Sequence, residues 1–231
     1  MVEQKIWVKT DTADQDEKEI RFSEIAALET PLKTIIEGIL KDGTTYDLII
    51  SDDTSGRIPT LVIGKVLNDL NERRGLRSIP VRFAGGHHRL KDYLREHEMD
   101  VILRKMQKEP KRILLVTDYV ASGRTIKDFG DFFAAREISY DIACVSIDDK
   151  EKDYRREGRL KTEVNFYYGE QCHSAPYIWD ASHLTGLKRG STLKTRVIRD
   201  GASFDRKVRE ARENINILAQ KLIDHFASEV I

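Results

Sequence analysis

The run Ile113-Leu114-Leu115-Val116-Thr117-Asp118-Tyr119-Val120-Ala121-Ser122-Gly123-Arg124-Thr125 decides the fold. It opens on four apolar residues, with Pro110 shortly before them, and predicts a strand buried on both faces. An acid follows, then a short loop with a small hydroxyl and a glycine, and a second hydroxyl where a helix over Ile126 to Arg136 begins. Phosphate binding asks for these residue types in this order. Amides at a helix N-terminus point at the anion, and the helix dipole favours its charge. Gly123 lets the backbone come close or take a positive φ, while Ser122 and Thr125 add hydroxyl donors. The carboxylate of Asp118 is placed one loop away, where it can accept hydrogen bonds from sugar hydroxyls.

Outward from this run the same alternation repeats. Tyr46 to Ile50 predicts a buried strand, followed by a turn and a helix over Pro59 to Glu72 with Leu61, Ile63, Val66, Leu67 and Leu70 at helical spacing. Ile79 to Phe83 predicts another strand, ending at Gly85-Gly86, and a polar stretch with helical character spans His88 to Lys108. Strands over Ile142 to Ile147 and Val164 to Tyr168 complete the series. Strands apolar on both faces, alternating with helices, indicate a mainly parallel sheet flanked by helices. Ligands of such sheets bind beyond the carboxyl ends of the strands, which directs attention to the loops after Ile50, Phe83 and Val116. The last helix, Ser203 to Ile231, follows a turn at Asp200-Gly201 and carries Val208, Ala211, Ile215, Leu218, Leu222 and Phe226 along one face. That face suits docking on the domain or on a second copy of the chain; a basic nucleic-acid arm is the lesser alternative.

The thirteen-residue run resembles the phosphoribosyl-pyrophosphate (PRPP) motif of type I phosphoribosyltransferases: four apolar residues, two acids, three mostly apolar residues, then Thr/Ser-Gly-x-Thr. The resemblance implies that Ala121, Ser122, Gly123, Arg124 and Thr125 cradle the 5-phosphate, and that Thr117 and Asp118 meet the ribose hydroxyls, which also meet Mg²⁺. Thr117 stands where the first acid of the motif would be, so that Asp118 alone supplies the carboxylate. Ala121 replaces the acid common in members that salvage 6-oxopurines, which points away from that substrate class. By the same resemblance Thr54, Ser55, Gly56 and Arg57 form the pyrophosphate loop, where a plain helix-start turn is the alternative; two adjacent aspartates are odd beside a diphosphate, and Asp53 can instead join Asp118 in holding Mg²⁺, through water. A mobile loop over Phe83 to Lys108 would bring Arg89, Lys91 or Arg104 to the diphosphate on closure, Arg89 and Lys91 assisting Asp118 in catalysis. A small hood would place Tyr177 or Trp179 to stack on a base and Asp180 to accept its exocyclic N–H, although Trp179 serves equally well as plain packing.

These readings divide the chain into an N-terminal extension (1–29), a phosphoribosyltransferase-like core with hood (30–180) and a basic segment with the long helix (181–231). They imply an enzyme that transfers a 5-phosphoribosyl group from PRPP to a nitrogenous base with Mg²⁺ and releases pyrophosphate. The alternative is a non-catalytic sensor of PRPP or a nucleotide on the same fold, which Thr117 and the basic C-terminal region favour.

Composition bounds both. The 231 residues are 40% hydrophobic and 8% aromatic, enough to build a core for one sizeable domain. Zero net charge provides no general pull toward nucleic acid or membrane. The two cysteines exclude a disulfide framework, and Cys144, within an apolar run, packs as a small hydrophobe. His87-His88 reads as a pair of solvated loop histidines rather than a metal site with His97. With no signal-like start, a cytoplasmic protein is expected, and the terminal helix together with the family resemblance suggests a homodimer.

Overall fold

The computed structural model describes residues 19–51, 56–84, 92–106, 108–120, 123–148, 163–172, 187–189, 195–197 and 201–229. A short helix, α1 (Ser23–Ala26), leads to α2 (Glu29–Asp42), which Gly43 ends in the left-handed conformation at φ 63°. Then come β1 (Leu48–Ser51), α3 (Arg57–Arg73), β2 (Val81–Phe83), α4 (Asp92–Arg104), β3 (Arg112–Val120), α5 (Arg124–Ala134), β4 (Ser139–Ile147) and β5 (Phe166–Gln171). Two three-residue strands, β6 (Leu187–Arg189) and β7 (Thr195–Val197), pair antiparallel before α6 (Gly201–Glu229). The main sheet has five strands in the order β2-β1-β3-β4-β5, all parallel.

This is the α/β architecture that the alternating pattern predicts. Side chains alternate between two cores, as the pleat requires. Ile49, Leu114, Val116, Ala143 and Val145 point to one face and pack with α2, α3 and α6. Leu48, Ile50, Ile113, Leu115 and Ile142 point to the other, where Met99 and Ile102 of α4 and the phenylalanines of α5 cover them. Cys144 is fully buried in that second core, as its apolar surroundings predict. The assignment of helices to faces follows from handedness. The β1→β2 step runs one way along the sheet and the β2→β3 and β3→β4 steps run the other, so right-handed crossovers put α3 opposite α4 and α5.

Several bounds differ from the sequence reading. The central strand does not end at Val116 but continues through Thr117 and Asp118 to Val120, because β4 offers it hydrogen-bonding partners along that whole length. Gly201, expected in a turn, is the first residue of α6. The helix α2 falls across the boundary drawn between extension and core. Its buried Leu32, Ile35, Ile36 and Ile39 join the same core as the sheet. The face foreseen for the terminal helix is the one that docks: Val208, Ala211, Ile215, Leu218, Leu222 and Phe226 are all buried, and α6 lies along α3. Among the described residues no helix is long and apolar enough to cross a membrane.

The amino edge of the sheet is tied by one carboxylate. Asp141, fully buried in β4, accepts hydrogen bonds from the Tyr46 hydroxyl at 3.0 Å, Arg112 Nε at 2.8 Å and the Asn165 amide at 2.9 Å. Asp47 likewise accepts from the amides of Lys111 at 2.8 Å and Arg112 at 3.1 Å. The Tyr167 hydroxyl donates to Asp42 at 2.9 Å. Replacing Asp141 by Ala leaves several donors without their acceptor, so Asp141→Ala should lower unfolding free energy by about 3 to 5 kcal/mol in urea titrations.

Burial raises the pKa of the Tyr46, Tyr140 and Tyr167 phenols; that of Tyr140 is pushed up to about 12 from 10.0. A phenol whose folded pKa exceeds its unfolded value contributes stability that is complete below the unfolded pKa and disappears as pH rises through the folded one. Unfolding free energy should therefore fall steadily from pH 10.0 toward about 12, and Tyr140→Phe should make that fall shallower.

Candidate functional site

In this sheet the chain leaves β1 toward one edge and β3 toward the other, and the two strands are parallel neighbours with Ser51 beside Val116. Such a switch point opens a crevice at the carboxyl ends, because the following helices depart to opposite faces. The helix after β1 begins at Arg57 with Gly56 as N-cap, and the helix after β3 begins at Arg124 with Gly123 as N-cap. Both helix N-termini, with their amides and positive dipole ends, thus flank one crevice. A glycine at each N-cap brings no side-chain oxygen of its own to those amides.

The two glycines differ in what they do. Gly123 has φ 66° and turns the chain sharply from β3 into α5, the conformation that the residue type anticipates. Gly56 is buried and has φ −68°, a value open to any residue. Its carbonyl accepts hydrogen bonds from the Thr60 hydroxyl at 2.6 Å and the Thr60 amide at 3.0 Å, which locks the first turn of α3.

Asp118 lies within β3 and is 3% exposed, so it belongs to the strand rather than to the loop after it. Its Oδ1 accepts the amide of Tyr119 at 2.8 Å. Thr117 is 2% exposed and sits beside Cys144 of β4. Beyond it Tyr119 is half-buried, and burial raises its phenol pKa, with the carboxylate of Asp148 adding to the shift. Arg57 is also half-buried. Its guanidinium carbon stands 4.0 Å from the centroid of the Phe83 ring at the end of β2, a cation–π stack that orients the side chain. Burial lowers its pKa, and the charge of Arg212 on α6 lowers it further.

Among the predicted site residues, the structure gathers Gly56, Arg57, Thr117, Asp118, Gly123, Arg124 and Thr125 at the carboxyl ends of β1 and β3. Arg124 is exposed and Thr125 half-buried on the first turn of α5. The predicted contacts Asp53, Thr54, Ser55, Arg89, Lys91, Ala121, Ser122, Tyr177, Trp179 and Asp180 lie outside the described residues. Arg104 does not join the group. It ends α4 at the edge of the sheet where β3 begins, opposite the crevice. His97 is exposed on α4, and among the described residues no cluster of three metal-ligating side chains occurs. Sequence reasoning missed Phe83, which looked like a strand end and carried no local signal for the ring stacked on Arg57.

No family model matches this sequence, and no curated protein matches it.

The positive φ at Gly123 gives a direct test of the turn. A β-carbon there strains the backbone, so Gly123→Ala should cost about 1 to 2 kcal/mol in thermal or urea unfolding.

Proposed function

We propose that the chain has a type I phosphoribosyltransferase-type fold and transfers a 5-phosphoribosyl group from PRPP to a nitrogenous base. The observation that carries this reading is the switch point itself. The turn resembling a pyrophosphate loop and the turn resembling a 5-phosphate loop follow adjacent parallel strands, so both ends of one PRPP molecule find a helix N-terminus within a single crevice.

In the reaction the bond from ribose C1 to the diphosphate oxygen breaks, a bond from C1 to a base nitrogen forms, and the base loses a proton. No protein nucleophile is needed. Catalysis of this kind rests on positioning and on stabilising the departing diphosphate and the oxocarbenium-like sugar. Gly123, Arg124 and Thr125 would hold the 5-phosphate, Gly56 and Arg57 the diphosphate, and Asp118 the ribose hydroxyls. Magnesium suits this donor set, since it binds through one or two carboxylates plus substrate phosphates, and Asp118 is a hard oxygen donor at the carboxyl end of β3. Bound there, it would neutralise charge on the diphosphate. The base is taken to be other than a 6-oxopurine, on the ground of Ala121.

A second reading has its own support. Thr117 is buried beside Cys144 and supplies no second carboxylate for the ribose, which favours a sensor that binds PRPP or a nucleotide without turning it over. The two are separated by incubating the protein with PRPP, Mg²⁺ and a panel of bases while following pyrophosphate release. Base-dependent release supports the transferase; tight PRPP binding without release supports the sensor. In either case Asp118→Asn and Gly123→Val should weaken PRPP binding by about tenfold or more in calorimetry. Unchanged affinity in both variants would refute the site.

A further inference from the structure

Two turns lie at the amino edge of the sheet, at the opposite end of the strands from the crevice. Residues 74–80 join α3 to β2, and residues 105–111 join α4 to β3. The strand between, β1, is bonded through its start to both: Ile49 donates its amide to the Pro80 carbonyl at 2.9 Å, and Asp47 accepts the Lys111 amide at 2.8 Å. Two strand spacings, about 10 Å, thus separate the turns where they enter the sheet. Stretches 71–80 and 104–112 together hold eight basic residues and two acidic ones, Glu72 and Glu109. Arg73 pairs with Asp69 and Arg112 with Asp141. The other six, Arg74, Arg77, Arg104, Lys105, Lys108 and Lys111, are all exposed, and none forms an ion pair among the described residues. Cations near a helix C-terminus complement its dipole, which accounts for Arg74, Arg104 and Lys105. Arg77, Lys108 and Lys111 stand beyond the last helical turns, where that effect has faded.

Leu76 sits between Arg74 and Arg77. At 47% exposure it is the one large apolar side chain left in solvent among the described residues. Its turn is built. Gly75 takes φ 67°, and the Leu76 amide donates to the Asn71 carbonyl at 2.8 Å. The side-chain amides of Asn71 and Asn68 donate to the carbonyls of Arg77 at 3.3 Å and Ile79 at 3.0 Å. A β-carbon at Gly75 would meet nothing within 4 Å, so the turn forms an open tip. We propose that this edge docks on an anionic lipid surface, with Leu76 entering the acyl boundary and the six cations meeting the headgroups. Both features serve that partner, since a polybasic patch and an apolar anchor act together at a membrane. A nucleic-acid duplex offers phosphates to the cations and no apolar bed to Leu76. Peptide partners are received by grooves and sheet edges, and an open tip is neither. The chain's zero net charge provides no long-range pull, so the attraction belongs to this edge and acts within about 8 Å at physiological salt. Docked in this way, the molecule keeps its carboxyl-edge crevice facing solvent. The proposal is independent of the phosphoribosyl reading.

The test sediments the full chain with vesicles of phosphatidylcholine alone and of phosphatidylcholine and phosphatidylserine in equal parts. The wild type should bind the mixed vesicles at low salt, release them at high salt, and leave the neutral ones unbound. Arg74→Glu with Arg77→Glu, and separately Lys108→Glu with Lys111→Glu, should each weaken partition by about tenfold or more. These side chains are exposed, so circular dichroism should show the variants folded; Lys108→Gln with Lys111→Gln gives a milder pair with a smaller loss. Tryptophan emission of Leu76→Trp should shift to the blue on the mixed vesicles. The proposal is overturned by a wild type that does not bind the mixed vesicles or binds both kinds alike. It is equally overturned by charge variants that bind as the wild type does, or by a Leu76→Trp emission that lipid leaves unchanged. Binding of duplex DNA through these cations, without vesicle binding, would overturn it in favour of a nucleic-acid surface.

Discussion

The carboxylate of Asp141 is the interaction on which the sheet's alignment depends. From β4 it takes hydrogen bonds from Tyr46 just before β1, from Arg112 at the start of β3 and from Asn165 just before β5. A parallel sheet has no tight hairpins to set its register, and a slip of one residue would exchange the side chains packed in its two cores. One buried acceptor shared among three strand starts penalises such a slip directly. Burial of a lone carboxylate is costly, and here the Arg112 guanidinium and the other donors offset that cost.

With the amino edge aligned, the carboxyl edge is aligned as well. Ser51 comes beside Val116, and the two strands deliver their following helices to opposite faces of the sheet. The fold thereby separates two tasks. The amino edge holds buried tyrosines and paired charges. The carboxyl edge holds glycine N-caps, helix amides, a buried aspartate and an arginine oriented by an aromatic ring. The C-terminal helix belongs to the core through Ala211, Ile215 and Leu218, where it lies along α3.

Much of this architecture is legible in the chain. Ile113 to Val116 could only be a buried strand, and the Gly123 turn into a helix followed from residue type alone, which its positive φ bears out. The spacing of Leu32, Ile35, Ile36 and Ile39, with Gly43 after them, marks a helix just as clearly, although it falls in a segment without a recognisable motif. The extension of β3 through Asp118 was harder to see. Asp118 is a poor strand former and Thr117 is polar, and both are strand residues because β4 runs beside them.

By itself the sequence determined the alternation of strands and helices, the apolar faces and the glycine at the sharp turn. These are properties of residues close together in the chain, and local sterics and periodicity suffice to specify them. The tertiary structure alone decided which strands are neighbours, where Arg104 ends up, what Asp141 binds, and that Arg57 stacks on Phe83. Each of these depends on contacts between distant segments, made when apolar faces are buried together, and no local pattern records which faces will meet.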